Sequence, residues 1–261
     1  MDSIVMIGQT SRGLVRPDNQ DHILLGRLVL NRGRAALRVG LDSDLMSGWG
    51  LLAAAADGVG GEAGGALASR MALTTLDSEF QRQNPTDLIK NIGRAVEAAN
   101  ERILAEAEQR PELANMGTTL AGVVLTWKGF YVFHSGDSRV YRFRSGFLKP
   151  LTEDDTVAAL ALKSGLTTLE ESRVAPTRHM LTNCVGSREY RLTFRPGPEF
   201  RDGDIILISS DGLHDLVSHE NLERIIGSGR DLDSMLDELF EAAEQGGGDD
   251  NISAILVQAL A

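Results

Sequence analysis

Short apolar runs rich in β-branched and aromatic residues recur along the chain at 22–30, 51–56, 118–126, 130–134, 139–143, 204–209 and 251–258. Most are bounded by Gly, Asp or Asn, a combination that predicts strands. The runs between 118 and 143 follow one another too closely for crossover helices, so they predict an antiparallel meander. Three segments carry apolar residues at helical spacing instead. Leu88, Ile92, Ala95, Val96, Ala99 and Ile103 form one stripe, and Leu232, Met235, Leu236, Leu239, Phe240 and Ala243 form a second. Ala68, Ala72, Leu76 and Phe80 form a weaker third. Thr86 stands where an N-cap for the helix near Leu88 is expected. Residues 31–50 predict an extended loop between two strands. Residues 150–190 are less regular, carry mixed charge, and are expected to form a flap or small insertion. Strands interrupted by helical blocks, without regular β-α alternation, imply the α+β class with largely antiparallel sheet. No internal repeat or low-complexity tract divides the chain, so 1–261 is expected to be one domain.

Composition narrows the functional classes. A formal net charge of -11 repels nucleic-acid phosphates and anionic lipid, so neither is an expected partner. The single cysteine, Cys184, has no internal disulfide partner and fits a reducing compartment. No apolar run approaches the roughly 20 residues of a membrane span. The opening Met1-Asp2-Ser3-Ile4-Val5 shows no basic region ahead of a long apolar stretch, and a cytoplasmic protein is expected. Nothing demands more than a monomer.

The acidity has a second source in aspartates at strand ends. Asp57 closes the run 51–56 and precedes Gly58-Val59-Gly60-Gly61. Asp211 follows 204–209 and precedes Gly212. Asp250 opens the last run, Asp21 opens the first, and Asp137 follows Gly136 between two others. Asp-Gly is a common hairpin turn, but a hairpin requires a second strand at once. The residues after Asp57 turn helical, and Gly212-Leu213-His214-Asp215 is no obvious strand. If these ends converge, the carboxylates repel one another unless cations intervene. Oxygen-only ligation selects Mg²⁺ or Mn²⁺. The five histidines lack the spacing of a zinc hydrolase.

These motifs resemble those of the type 2C serine/threonine protein phosphatases, the metal-dependent (PPM) family, in its bacterial form. The resemblance is carried, in order, by Arg12-Gly13-Leu14-Val15-Arg16-Pro17-Asp18-Asn19-Gln20-Asp21, Ala56-Asp57-Gly58-Val59-Gly60-Gly61, Gly117-Thr118-Thr119, Gly136-Asp137-Ser138-Arg139, Ser210-Asp211-Gly212-Leu213-His214-Asp215 and Asp249-Asp250-Asn251. It spans roughly residues 5–258. It implies a central β-sandwich of two antiparallel sheets flanked by helix pairs, with a dinuclear site at one edge. It implies hydrolysis of phosphoserine and phosphothreonine on proteins, the products of a serine/threonine kinase, by direct attack of a metal-activated water. By match, Asp57 bridges two Mn²⁺ or Mg²⁺ ions, with the Gly58 carbonyl on one. Asp211 and Asp250 hold the first ion, and Asp21 supports the second. Asp137 holds a third, weaker ion with Asp211, and Asp215 is a further candidate there. Arg16 grips the substrate phosphate, so Arg16, Asp57 and Asp211 are the expected catalytic residues.

Two departures stand out. Many eukaryotic members carry a histidine, a proposed proton donor, where this chain has Val59. Residues 154–156 read Asp-Asp-Thr where relatives often show Asp-His-Ser. Among rivals, Asp42-Ser43-Asp44 resembles the start of a haloacid-dehalogenase-type phosphatase, but Met46 stands where Thr or Val is required. Cys184 is followed six residues later by Tyr190, not by the Arg of a cysteine phosphatase. The alternative outside enzymology is a pseudophosphatase that binds phosphoproteins or a kinase. Such proteins usually lose metal ligands, and here every matched aspartate is present.

Overall fold

The computed structural model describes residues 2–43, 46, 50–82 and 87–260. Two six-stranded sheets face each other. The first has the order β11 (Phe147–Pro150), β10 (Arg139–Arg144), β13 (Ile205–Ser209), β14 (Ile252–Leu260), β1 (Ser3–Ser11) and β4 (Gly33–Gly40). The second has the order β12 (Thr193–Pro196), β9 (Gly129–Ser135), β8 (Leu120–Thr126), β5 (Leu51–Ala56), β2 (His22–Leu25) and β3 (Leu28–Leu30). A short ribbon pairs β6 (Gly58–Val59) with β7 (Gly117–Thr118). The strand pairings of both sheets are antiparallel.

The central strands read as unbroken apolar runs because both their faces are covered. Along β5, Leu51, Ala53 and Ala55 enter the core between the sheets, while Leu52, Ala54 and Ala56 meet a helix pair. That pair is α1 (Glu62–Arg82) and α2 (Leu88–Gln109). On the other side, Ile206 and Ile208 of β13 enter the inter-sheet core. Ile205 and Leu207 meet α6 (His219–Ile226) and α7 (Leu232–Gln245). The three expected helical stripes lie on α2, α7 and α1, and their residues are buried except for Leu88, which is half-buried against the same core. The result is four layers, α-β-β-α, as expected. Three shorter α-helices also stand among the described residues: α3 (Val157–Lys163) and α4 (Leu169–Val174) in the flap, and α5 (Asp211–His214) directly after β13.

Four expectations need correction. Residues 31–50 are not simply a loop, because 33–40 form β4, paired along its length with β1. As an edge strand β4 is mostly solvent-facing, with only Leu37 and Val39 packed on the inter-sheet core, so its apolar signal is weak. Strand β1 itself was not among the expected runs, yet it lies between β14 and β4. The run 22–30 is two strands, with the hairpin at Gly26-Arg27. The expected meander is broken: β9 pairs with β8 and β12, whereas β10 pairs with β11 and β13 in the other sheet. Residues 136–138 therefore cross from one sheet to the other. Thr86 and Asp44 lie outside the described residues. The side chain that caps α2 is Asp87, which accepts from the Lys90 N–H at 3.2 Å. No helix among the described residues is long and apolar enough to cross a membrane.

Candidate metal centre

Strand register brings the aspartates to one edge. His22 pairs with Ala56, so Asp21 before β2 and Asp57 after β5 are adjacent. In the other sheet Ser209 pairs with Ala254, which sets Asp211 beyond the end of β13 near the start of β14, where Asp250 lies. Ser11, the end of β1, pairs with Ile252, so the loop carrying Arg16 leaves the same edge. Asp137 sits on the crossing from β9 to β10. The glycines after Asp57 and Asp211 are there for close approach, not for hairpins. A Cβ on Gly58 would lie 2.1 Å from the Gly65 carbonyl oxygen, and one on Gly212 would lie 2.0 Å from that of Asn251.

Each carboxylate is held by its surroundings. Asp21 is fully buried. Its Oδ2 lies 2.8 Å from Ser210 Oγ and 2.7 Å from Ser253 Oγ, while its buried Oδ1 has no hydrogen-bond partner. The Thr118-Thr119 pair fixes Asp57. The Asp57 N–H donates to Thr119 Oγ1 at 3.0 Å, and its carbonyl accepts from Thr118 Oγ1 and the Thr119 N–H, each at 2.8 Å. Thr119 Oγ1 also lies 2.7 Å from Ser138 Oγ, next to Asp137. Asn251 pins the Arg16 loop by donating to the carbonyls of Arg12 and Asp18 and accepting from the Gln20 N–H. Arg16 is about half exposed; its Nη2 pairs with Asp250 Oδ2 at 2.7 Å, and its Nε donates to the Asp249 carbonyl.

Burial and mutual repulsion dominate the ionisation. Burial pushes Asp57 well above the usual carboxylate range, and the charges of Asp21, Asp211, Asp137 and Asp250 push it further. Burial, opposed by its serine partners, pushes Asp21 up to about 7. Burial, with Asp250 and Asp215 beside it, pushes Asp211 up to about 6. Asp137 is also raised well above its usual range, by burial and then by Asp211. An unpartnered buried oxygen on Asp21 and another on Asp211, inside a set of acidic oxygen donors, fit hard divalent cations. Such ions would relieve the repulsion that burial aggravates.

The sequence reading missed His179. Its Nδ1 is 3.4 Å from Asp215 Oδ2 and 3.7 Å from Asp211 Oδ2, and these three residues can offer donor atoms within 4.8 Å of one another. A lone histidine in an irregular segment gives no spacing signal, so only the folding of the flap over the edge reveals it.

Residues 41–260 match the protein phosphatase 2C family. The chain belongs to that family. Over 254 residues it is 32% identical to the serine/threonine protein phosphatase PstP of Mycobacterium tuberculosis, an alignment covering 97% of this chain and 44% of that protein. It thus spans less than half the length of that relative. The S. agalactiae serine/threonine phosphatase superposes with a TM-score of 0.84 at 26% identity, covering 98% of this chain and 99% of the other. The catalytic domain of PstP in complex with two manganese ions superposes with a TM-score of 0.79 at 29% identity, covering 99% and 100%. The protein phosphatase 2C fold thus accounts for both sheets and both helix pairs of this chain.

Proposed function

We propose that this protein is a metal-dependent phosphatase that removes phosphate from phosphoserine and phosphothreonine on proteins, acting in the cytoplasm against the products of a serine/threonine kinase. The observation that carries the reading is the convergence of Asp21, Asp57, Asp211 and Asp250 at one edge, where each raises the charge burden of another. Asp57, the Gly58 carbonyl, Asp211, Asp250 and Asp21 would hold two Mn²⁺ or Mg²⁺ ions. Asp137 and Asp211, with Asp215 and His179 at hand, would hold a weaker third. Bound there, such cations supply a water of lowered pKa and neutralise phosphoryl oxygens. Asp57 and Asp211 fix where the charge is concentrated. Ser210 and Ser253 hold Asp21 in one orientation, and Thr118 and Thr119 hold the Asp57 backbone. Arg16 is exposed enough to turn its guanidinium from Asp250 to a phosphate dianion, a planar and always charged donor. Val59 supplies no proton to a leaving oxygen.

The support from relatives is the shared family and the manganese-bound PstP domain. The test is hydrolysis of p-nitrophenyl phosphate and of a phosphothreonine peptide with and without Mn²⁺. Mn²⁺-dependent turnover of both is expected. Binding of the phosphopeptide without any turnover would convert the reading to that of a pseudophosphatase.

A further inference from the structure

Gly136 precedes Asp137 on the crossing between the two sheets and has a φ of +104°. It is buried, and its backbone groups have turned away from the β9 ladder. Both are satisfied by one residue of the flap. The Gly136 N–H donates to Asp155 Oδ2 at 3.0 Å, and the Gly136 carbonyl accepts from the Asp155 N–H at 3.0 Å. The same Asp155 Oδ2 accepts from Asn183 Nδ2 at 2.7 Å. Asn183 in turn exchanges two hydrogen bonds, each 2.8 Å, with the backbone of Arg191. The Asp155 carbonyl accepts from the Thr182 N–H at 2.8 Å, and Val157 N–H donates to Met180 O at 2.9 Å. One carboxylate thus closes the entry of the flap onto its exit and clamps the turn that presents Asp137. Its neighbour Asp154 makes a bidentate pair with Arg139 on the far side of that turn, at 2.8 and 2.6 Å.

We propose that Asp155 is a positioning residue that couples the flap to Asp137, so that the weaker cation site forms only when the base of the flap is closed. This rests on the reading of Asp137 as a cation ligand. Asp155 touches neither cation nor substrate; it acts through the Gly136 backbone. Because Oδ2 only accepts, an asparagine that presents its amide oxygen keeps both bonds, whereas alanine loses both.

The experiment compares Asp155→Ala, Asp155→Asn, Asn183→Ala and Asp137→Ala in the whole chain. Mn²⁺ calorimetry, kcat for p-nitrophenyl phosphate against Mn²⁺ concentration, thermal melts and trypsin cleavage within 157–180 are measured. Loss of an outer partner typically weakens metal affinity about 10- to 100-fold. Asp155→Ala is expected to lose affinity by that factor at the weaker site alone, to need correspondingly more Mn²⁺ for the same kcat, and to be cut faster in the flap. Asp155→Asn is expected to restore affinity, and Asn183→Ala to fall between. Wild-type Mn²⁺ affinity at the weaker site in Asp155→Ala overturns the proposal. So does a deficit that Asp155→Asn fails to restore, or one that merely follows the melting temperature. If Asp137→Ala keeps all its Mn²⁺, the reading of Asp137 itself fails, and the coupling falls with it.

Discussion

At the sandwich edge each aspartate stands beside a strand buried on both faces, and its position follows from strand register. In the flap, α3 and α4 carry Leu160, Leu169 and Val174 on the outside, and the turn between them carries Leu166, all exposed to solvent. The edge is fixed by three hydrophobic clusters, one between the sheets and one under each helix pair. The base of the flap is fixed by a few polar bonds around Asp155 and Asn183, and by the backbone bridges Thr118–Val185 and Thr156–Leu181. Groups that must concentrate charge within a few ångströms need the rigid support, because repulsion would spread carboxylates placed on a loop. A segment with little burial opens at low free-energy cost.

The largest expected effect is at the rigid side. Asp57→Asn is expected to lower kcat by several orders of magnitude at saturating Mn²⁺, because the nucleophile depends on the cations. The fold is expected to survive, since the change removes a repelling charge. In metal-free buffer at pH 7.5 the variant should melt higher than the parent. Near-parental turnover in Asp57→Asn would remove Asp57 from the site.

Next is Arg16, which sits between the two regimes: a loop side chain, but one whose loop is pinned by Asn251. A charge-assisted hydrogen bond is worth about 1.5–3 kcal/mol, so Arg16→Ala should cost roughly 10- to 100-fold in kcat/KM for a phosphopeptide. Mn²⁺ affinity should stay close to the parental value. The decisive result is the split: equal losses of Mn²⁺ and substrate binding would mean that Arg16 serves Asp250 and not phosphate.

A third measurement isolates the charge held at the edge. Asp21 and Asp211 titrate at about 7 and about 6 when folded, against an ordinary value near 3.8. The folded protein therefore binds more protons than the unfolded chain across that interval, and stability falls as pH rises. The metal-free melting temperature should be highest below about pH 4 and fall steadily through pH 7. Added Mn²⁺ should stabilise increasingly over the same range, because ligation needs the ionised carboxylates. The net charge of -11 also favours lower pH, so the comparison is with Asp57→Asn, whose slope should be shallower. Equal slopes would locate the repulsion elsewhere.

The two regions also differ in what sequence makes visible. The apolar runs at 51–56, 204–209 and 251–258 were legible as strands because two-sided burial demands apolar residues at every position. The acidic ends were legible because each interrupts such a run. Their convergence was not, because register and sheet order are long-range facts. Residues 136–138 show the limit: short spacing suggested a hairpin between 130–134 and 139–143, and nothing local reveals that the chain changes sheets there. Edge strand β4 was hidden by polar residues facing solvent. His179 gave no signal and Asp155 stood out only as a departure from the family's Asp-His-Ser, since each acts through partners 19 or more residues away, and the flap offers no periodic frame against which they stand out.

The smallest expected effect is on the flap surface. Leu166 is 81% exposed, in the turn between α3 and α4. Replacing it removes almost no buried apolar area, so Leu166→Ala should change unfolding free energy by no more than about 0.5 kcal/mol. Turnover of p-nitrophenyl phosphate and Mn²⁺ affinity should be unchanged, because Leu166 lies outside the hydrogen-bonded base of the flap. Urea melts followed by circular dichroism, with and without Mn²⁺, give the number. A loss above about 1 kcal/mol would mean that Leu166 is packed in solution, and the contrast between a core-supported edge and a lightly held flap would fail at that point.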